Sequence, residues 1–221
     1  MRHRSGLVAV ALTALGLAGC AVRGPEMPKD AAGLTQEQVH AMTLHEEFDR
    51  YRDRYDHLQR LLAGAQLAVH GGEWHWNGGD DIPQIGGDGM APLPGADMHN
   101  TYALTSSRSY DPEGAEGAKS DLDPMLDYFA ANNWSSHVER VGPTYYLDGF
   151  TSDGWRVEYL VQRSGHYSLT VYSDLFWTND DDALSEAVGS RAAGLHPRSS
   201  RPGEYPDPPT WDSPIISPPK I

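Results

Sequence analysis

Apolar residues recur at spacings of three and four through Ala41, Leu44, Phe48, Tyr51, Tyr55, Leu58 and Leu62. On a helix that period gathers them into one stripe, while Glu46, Glu47, Asp49, Arg52, Asp53, Asp56 and Arg60 fall mostly away from it. Two starts are written for this helix: Thr35 with Gln38, and Thr43 with Glu46, each pair having the spacing of a capping box. The stripe covers only about three heptads, so it predicts a core-facing helix before it predicts a coiled-coil seam for a partner. A second helix is expected from Asp121 to Asn132, with Asp123 before Pro124 as cap and first turn. Leu122, Met125, Leu126 and Phe129 point inward there, and Asn132-Asn133 ends it.

Between Val138 and Trp177 the period changes to two. Trp155, Val157, Tyr159 and Val161 alternate with Arg156, Glu158, Leu160 and Gln162, the pattern of a strand with one apolar face. A two-residue loop at Asp153-Gly154 places Phe150 opposite Val157 and Tyr146 opposite Val161, but leaves Asp148 facing Tyr159, a poor fit. At the next turn a two-residue loop would mix the faces, because a slip of one residue inverts every side chain. A three-residue loop, Arg163-Ser164-Gly165 with Gly165 left-handed, pairs Val161 with Tyr167, Tyr159 with Leu169 and Val157 with Val171.

Shorter strands are expected from Glu73 to Asn77 and through Tyr102 to Thr105, with a Gly/Pro-rich loop between them. A short helix should begin near Asp182, capped by Asp181 or Asp182 and carrying Ala183, Leu184, Ala187 and Val188. The pattern predicts an α+β fold, an antiparallel β-meander with two main helices packed on one face. Four stretches are expected: a leader at 1–19, a flexible tether at 20–33, the folded domain at 34–190 and a Pro-rich disordered tail at 191–221. Trp211, in the tail, either docks on a partner or folds back on its own domain.

The leader begins with the basic residues Arg2, His3 and Arg4, followed by an apolar run from Leu7 to Gly16 that is shorter than the ~20 residues of a spanning helix. It reads as a secretory signal. It stops at Leu17-Ala18-Gly19-Cys20, small residues before a cysteine, and Cys20 is the one cysteine of the chain. No disulfide can form within the chain. Attachment of a diacylglyceryl group to Cys20, with cleavage before it, accounts for a lone thiol on an exported protein. Two acyl chains of roughly fifteen methylenes each contribute about 24 kcal/mol at ~0.8 kcal/mol per methylene, enough for a permanent anchor. The expected location is the cell membrane, lipid-anchored and facing away from the cytoplasm.

The formal net charge is −14, and loss of Arg2 and Arg4 with the leader makes the mature chain more acidic still. With no basic stripe to offset that field, nucleic acid is excluded as a partner. A chain of ~150 ordered residues buries a core without disulfides, so one domain with tails is expected.

Candidate chemistry concentrates in Gly71 to Asp81, GGEWHWNGGDD. In a strand Glu73, His75 and Asn77 share one face, and Trp74 and Trp76 the other. One reading buries the tryptophans and leaves a decorated hairpin. A second makes Trp74, His75 and Trp76 a ligand or glycan site beside a mobile loop. A third builds a metal-dependent hydrolase from Glu73, His75 and Asp80, drawing on a local set that also holds His70 and Asp81 but lacks the HExxH spacing and any thiol pair. The Asp-rich pieces 78–81 and 179–182 do not match an EF-hand loop, and neither a Gly-x-Ser-x-Gly elbow nor a phosphate-binding Gly-rich loop is present.

The chain resembles the LppA-like lipoproteins of actinobacteria. The resemblance is carried by Leu17-Ala18-Gly19-Cys20, Leu34-Thr35-Gln36-Glu37-Gln38, Trp74-His75-Trp76 with Asp80-Asp81, the hairpin from Tyr146 to Tyr159, the last strand from Leu169 to Trp177, and Pro208-Pro209-Thr210-Trp211. It covers most of the chain. Some members carry two cysteines in the mature domain, one before the second helix and one near the end of the last strand. Both regions lack cysteine here, the second near Leu175, so packing replaces any such disulfide. The resemblance implies an envelope lipoprotein with no assigned reaction and no catalytic residue to carry over. The resulting expectation is a non-catalytic binding or interaction module without a cofactor, held at the membrane by a diacylglyceryl anchor, with an envelope protein or a glycan as its partner.

Overall fold

The computed structural model describes residues 27–77, 83–86, 92–191 and 197–216. Both capping boxes are used, one after the other. Thr35 accepts from the Gln38 N–H at 3.3 Å and opens α1 (Gln36–His40). Thr43 accepts from the Glu46 N–H at 3.3 Å and opens α2 (Leu44–Val69). Ala41 therefore caps the end of α1 instead of joining the stripe of α2. Phe48, Tyr51, Tyr55, Leu58 and Leu62 are buried as expected.

Glu47 is a correction: expected away from the core, it is buried. Its carboxylate accepts from Thr178 Oγ1 at 2.6 Å, the Asn179 N–H at 3.0 Å and Asn179 Nδ2 at 2.7 Å. α2 touches the sheet and two other helices, so more than one stripe is covered, and a buried carboxylate is tolerated where donors converge on it.

β1 (Trp74–Trp76), β2 (Gln84–Ile85), β3 (Thr101–Ala103) and β4 (Thr105–Tyr110) follow. The second helix is split into a 3-10 turn, Lys119–Leu122, and α3 (Asp123–Ala131). Asp123 is its first helical residue, not its side-chain cap. Leu122, Met125 and Phe129 are fully buried, and Asn133, at φ 57°, lies just past its end. The meander is β5 (Ser135–Val141), β6 (Thr144–Phe150), β7 (Trp155–Val161) and β8 (Tyr167–Ser173). After β9 (Phe176–Trp177) comes α4 (Asp181–Gly189), capped by Asp180, whose Oδ1 accepts from the Ala183 N–H at 3.0 Å. The cap thus lies one residue before the earlier of the two expected. β10 (Ser199–Ser200) is the last element.

The main sheet is antiparallel, in the order β10-β1-β4-β8-β7-β6-β5, and a smaller antiparallel sheet runs β2-β3-β9. The fold is α+β, with α2 and α3 packed on one face of the meander. The strand expected through Tyr102 to Thr105 is two strands in two sheets, bent at Leu104. Ser173 holds the bend, its hydroxyl accepting from the Leu104 N–H at 2.8 Å and its own N–H donating to the Leu104 carbonyl at 2.9 Å.

The β7–β8 register agrees with expectation, Val161 against Tyr167, Tyr159 against Leu169 and Val157 against Val171. The β6–β7 register does not: Tyr145 lies opposite Val161, Leu147 opposite Tyr159, Gly149 opposite Val157 and Phe150 opposite Arg156. The loop has three residues, Ser152-Asp153-Gly154, with Gly154 at φ +82°. Trp155 and Thr151 close it, the Thr151 N–H donating to the Trp155 carbonyl at 2.9 Å. The shift of one residue takes Asp148 off the apolar face but sets it opposite Glu158, a like charge, with Arg156 Nε at 3.7 Å. It also turns Gly149 inward, where a methyl group would come within 2.5 Å of the Phe129 ring. The missing side chain lets α3 approach the sheet.

The folded body reaches beyond 34–190 at both ends. In the tether, Asp30 is buried and staples the chain down: Oδ1 accepts from the Ala32 and Leu34 N–H groups at 2.9 Å, and Oδ2 from the Trp177 N–H at 3.1 Å. The Pro-rich tail is not disordered over residues 197–216. Ser199 and Ser200 pair with β1, Tyr205 meets Tyr55, and Trp211 stacks on His45 at 4.7 Å and abuts Phe48 at 5.5 Å. Trp211 folds back on its own domain. The leader, Cys20 and the first part of the tether lie outside the described residues.

Candidate functional site

The alternation read in Gly71 to Asp81 is present in β1, but its two tryptophans differ. Trp74 is fully buried; its Nε1 donates to the His70 carbonyl at 2.9 Å and its ring meets Tyr110 at 4.4 Å. Trp76 is half-buried: Arg108 lies 3.5 Å over its ring, and its Nε1 donates to Ser200 Oγ at 2.8 Å. His75 and Glu73 are exposed, His75 on the opposite face from the tryptophans. His70 stacks on Tyr110 at 5.0 Å. Asp80 and Asp81, which the hydrolase reading draws on, lie outside the described residues. Among the described residues no group of three or more His, Cys, Asp or Glu side chains is arranged to hold a metal ion.

A concave site lies elsewhere. Trp155, Phe176, Ala31 and Ala32 line an open groove of about 270 Å³, with Arg54, Asp53, His57 and Asp153 around it. Asp53 and His57 are one helical turn apart on α2, which puts them on one face. Asp153 comes from the β6–β7 loop, so the three-residue loop also sets this site. His57 Nε2 stands 3.3 Å from Asp153 Oδ2, and its ring lies 5.1 Å from that of Trp155. Desolvation pulls the His57 pKa below its ordinary value, against the opposing pull of Asp153.

Arg54 is committed to structure. Its Nη1 donates to Tyr102 Oη at 2.6 Å, its Nη2 is 3.6 Å from Asp30, and its guanidinium lies 4.0 Å over the Phe176 ring. Its charge is thus balanced by Asp30 at the groove's wall. Asp53 and Asp153 are exposed at the rim. With Phe176 covered by Arg54, the groove combines the apolar wall of Trp155, Ala31 and Ala32 with two carboxylates and an imidazole, suited to holding a small apolar body that carries a positive charge.

Sequence reading missed this groove. Trp155 reads as a core strand residue, Asp153 as a turn and Asp53 as solvated helix surface. The i, i+4 spacing of Asp53 and His57 was a visible signal. Nothing local joined it to a hairpin almost one hundred residues away. A buried aromatic network is a second group without a sequence signal. Tyr110 and Tyr159 share a hydrogen bond of 3.2 Å, and Tyr167 donates to Asp121 while accepting from the Gly117 N–H at 3.1 Å. Burial and the Asp121 hydrogen bond push Tyr167 up to about 12, which suits a structural strut better than proton transfer near neutral pH.

No described helix is long and apolar enough to cross a membrane. Comparison with protein-family models, curated proteins and solved structures finds no match to this chain.

Proposed function

We propose that this chain is a lipid-anchored binding protein of the cell envelope, held on the outer side of the membrane through Cys20 and without catalytic activity. The anchor is supported by the order of basic residues, apolar run, small residues and lone cysteine at the start of the chain. Likeness to the LppA-like lipoproteins agrees with it. In wild type the protein should partition into detergent phase with a diacylglyceryl mass added to a chain beginning at Cys20. Cys20→Ala should be released or kept as full-length precursor, and a variant processed and membrane-bound like wild type would end the proposal.

The observation that carries the binding role is the groove walled by Trp155, Ala31 and Ala32, with Asp53 and Asp153 at its rim. Its ligand class is a compact organic cation with an apolar body, such as an alkylamine group of an envelope component. Thermal-shift titration with a series of primary and quaternary alkylamines should raise the melting temperature of wild type but not of the Asp53→Asn/Asp153→Asn variant. Equal shifts in both, or none in wild type, would remove the groove from the account. The glycan alternative at Trp74, His75 and Trp76 retains one half-exposed ring, Trp76, with a face already under Arg108. It therefore ranks second.

A further inference from the structure

The strand β5 ends the main sheet, and all seven of its residues, Ser135 to Val141, are exposed. It pairs with β6 on one side, and among the described residues no strand pairs with the other. The two-residue turn Gly142-Pro143 closes the β5–β6 hairpin at the Val141–Thr144 pair. In such a hairpin the closing pair is hydrogen-bonded and the pattern alternates, so Val141, His137 and Glu139 turn their backbone groups toward β6. Ser136, Val138 and Arg140 turn theirs to the open edge.

Native sheets blunt such edges with charge, a bulge or a short strand. β5 is as long as the central strands, shows no bulge in its ladder and carries one Glu and one Arg, so it is locally neutral in a chain of net charge −14. Val138 and Val141 are exposed apolar side chains along this edge strand.

We propose that β5 pairs antiparallel with β5 of a second copy, about a two-fold axis at Val138, joining the two main sheets into one. An isologous contact requires a surface complementary to itself. The sequence Ser135-Ser136-His137-Val138-Glu139-Arg140-Val141 has that property in this register. Val138 meets the partner's Val138, His137 meets the partner's Glu139, Glu139 meets the partner's His137, and no like charges face each other. The residues whose backbone groups point outward, Ser136, Val138 and Arg140, are the ones that this register pairs. Each finds both its N–H and its C=O satisfied. A register slipped by one residue, with the axis between two residues, would instead oppose these groups to backbone groups already used within the hairpin, and an axis moved to Glu139 would set that carboxylate against its own copy.

Thiol cross-linking in the full chain carrying Cys20→Ser, so that the introduced cysteine is the only one, tests the register. Val138→Cys places two sulfurs on directly opposed residues, with Cα atoms about 5.5 Å apart, within disulfide reach. It should give a disulfide-linked dimer on mild oxidation. Ser135→Cys, roughly 20 Å from its copy at ~3.4 Å per residue, should not. Val138→Pro removes an outward N–H that the monomer does not use, and should lose the dimer in sedimentation while keeping the far-ultraviolet spectrum. If Val138→Pro fails to fold, the two cysteine variants decide. A chain that stays monomeric without cross-linking, or cross-links equally at both positions, overturns the proposal, as does a folded Val138→Pro that still dimerises.

Discussion

Asp181 shows how one side chain can lower stability where its neighbours fix the backbone. It is buried, its Oδ1 has no hydrogen-bond partner, and Asp180 and Asp182 flank it. Desolvation, then the neighbouring Asp182 and Asp180, push its pKa up to about 6, with His99 pulling the other way. The folded state therefore holds this proton more tightly than the unfolded chain. Between the ordinary carboxylate pKa and about 6 the folded state loses stability as pH rises, and above about 6 the cost is fully present. Asp181→Asn should raise the melting temperature at pH 7.5 and change it little at pH 4.5. Equal shifts at both pH values, read by calorimetry, would show that ionisation is not the cause. In the sequence Asp181 is one of three consecutive aspartates, and only the packing of α4 distinguishes it from Asp180, which caps the helix.

Among the elements, those governed by local chemistry were the most legible. Both capping boxes, the burial of Phe48 to Leu62 and the Gly165 turn follow from short-range spacing, and each is found where expected. The β6–β7 turn misled because Asp-Gly suits a two-residue loop, while apolar residues on both faces of β6 let either register look acceptable. Asp148 was the residue that conflicted, and the observed register takes it off the apolar face while setting it opposite Glu158. β4 was only touched at its first residue, since Ser106-Ser107-Arg108-Ser109 has weak strand propensity and gains its ladder from β8.

The tail was misjudged for a related reason. Its prolines rule out helix and central strand but do not prevent extended packing on a finished surface. Trp211 bridges α2 and Arg191, whose guanidinium lies 4.9 Å from its ring and whose Nε donates to its carbonyl at 3.0 Å. Trp211→Ala should destabilise the protein by about 2 kcal/mol through loss of this aromatic and apolar contact. A urea midpoint unchanged from wild type would mean that the tail lies on the domain without holding it.

At the scale of the molecule, the first and last described segments converge on α2, Asp30 through Arg54, and Tyr205 and Trp211 through His45, Phe48 and Tyr55. Residues 27–32 pass beside the groove, since Ala31 and Ala32 form part of its wall. In the proposed arrangement the groove lies near the anchored end, on a domain whose free sheet edge is available to a second copy.

The sequence by itself determined the α+β class, the two capping-box helix starts, the one-sided apolar strands and the expectation of an anchor at Cys20, because each is encoded by spacing over a few residues. Tertiary structure alone decided the β6–β7 register, the burial of Glu47, the docking of the tail and the groove between α2 and the hairpin loop. Those depend on which surfaces meet across long separations. Apolar burial and donor geometry choose among local options that are nearly equal in energy.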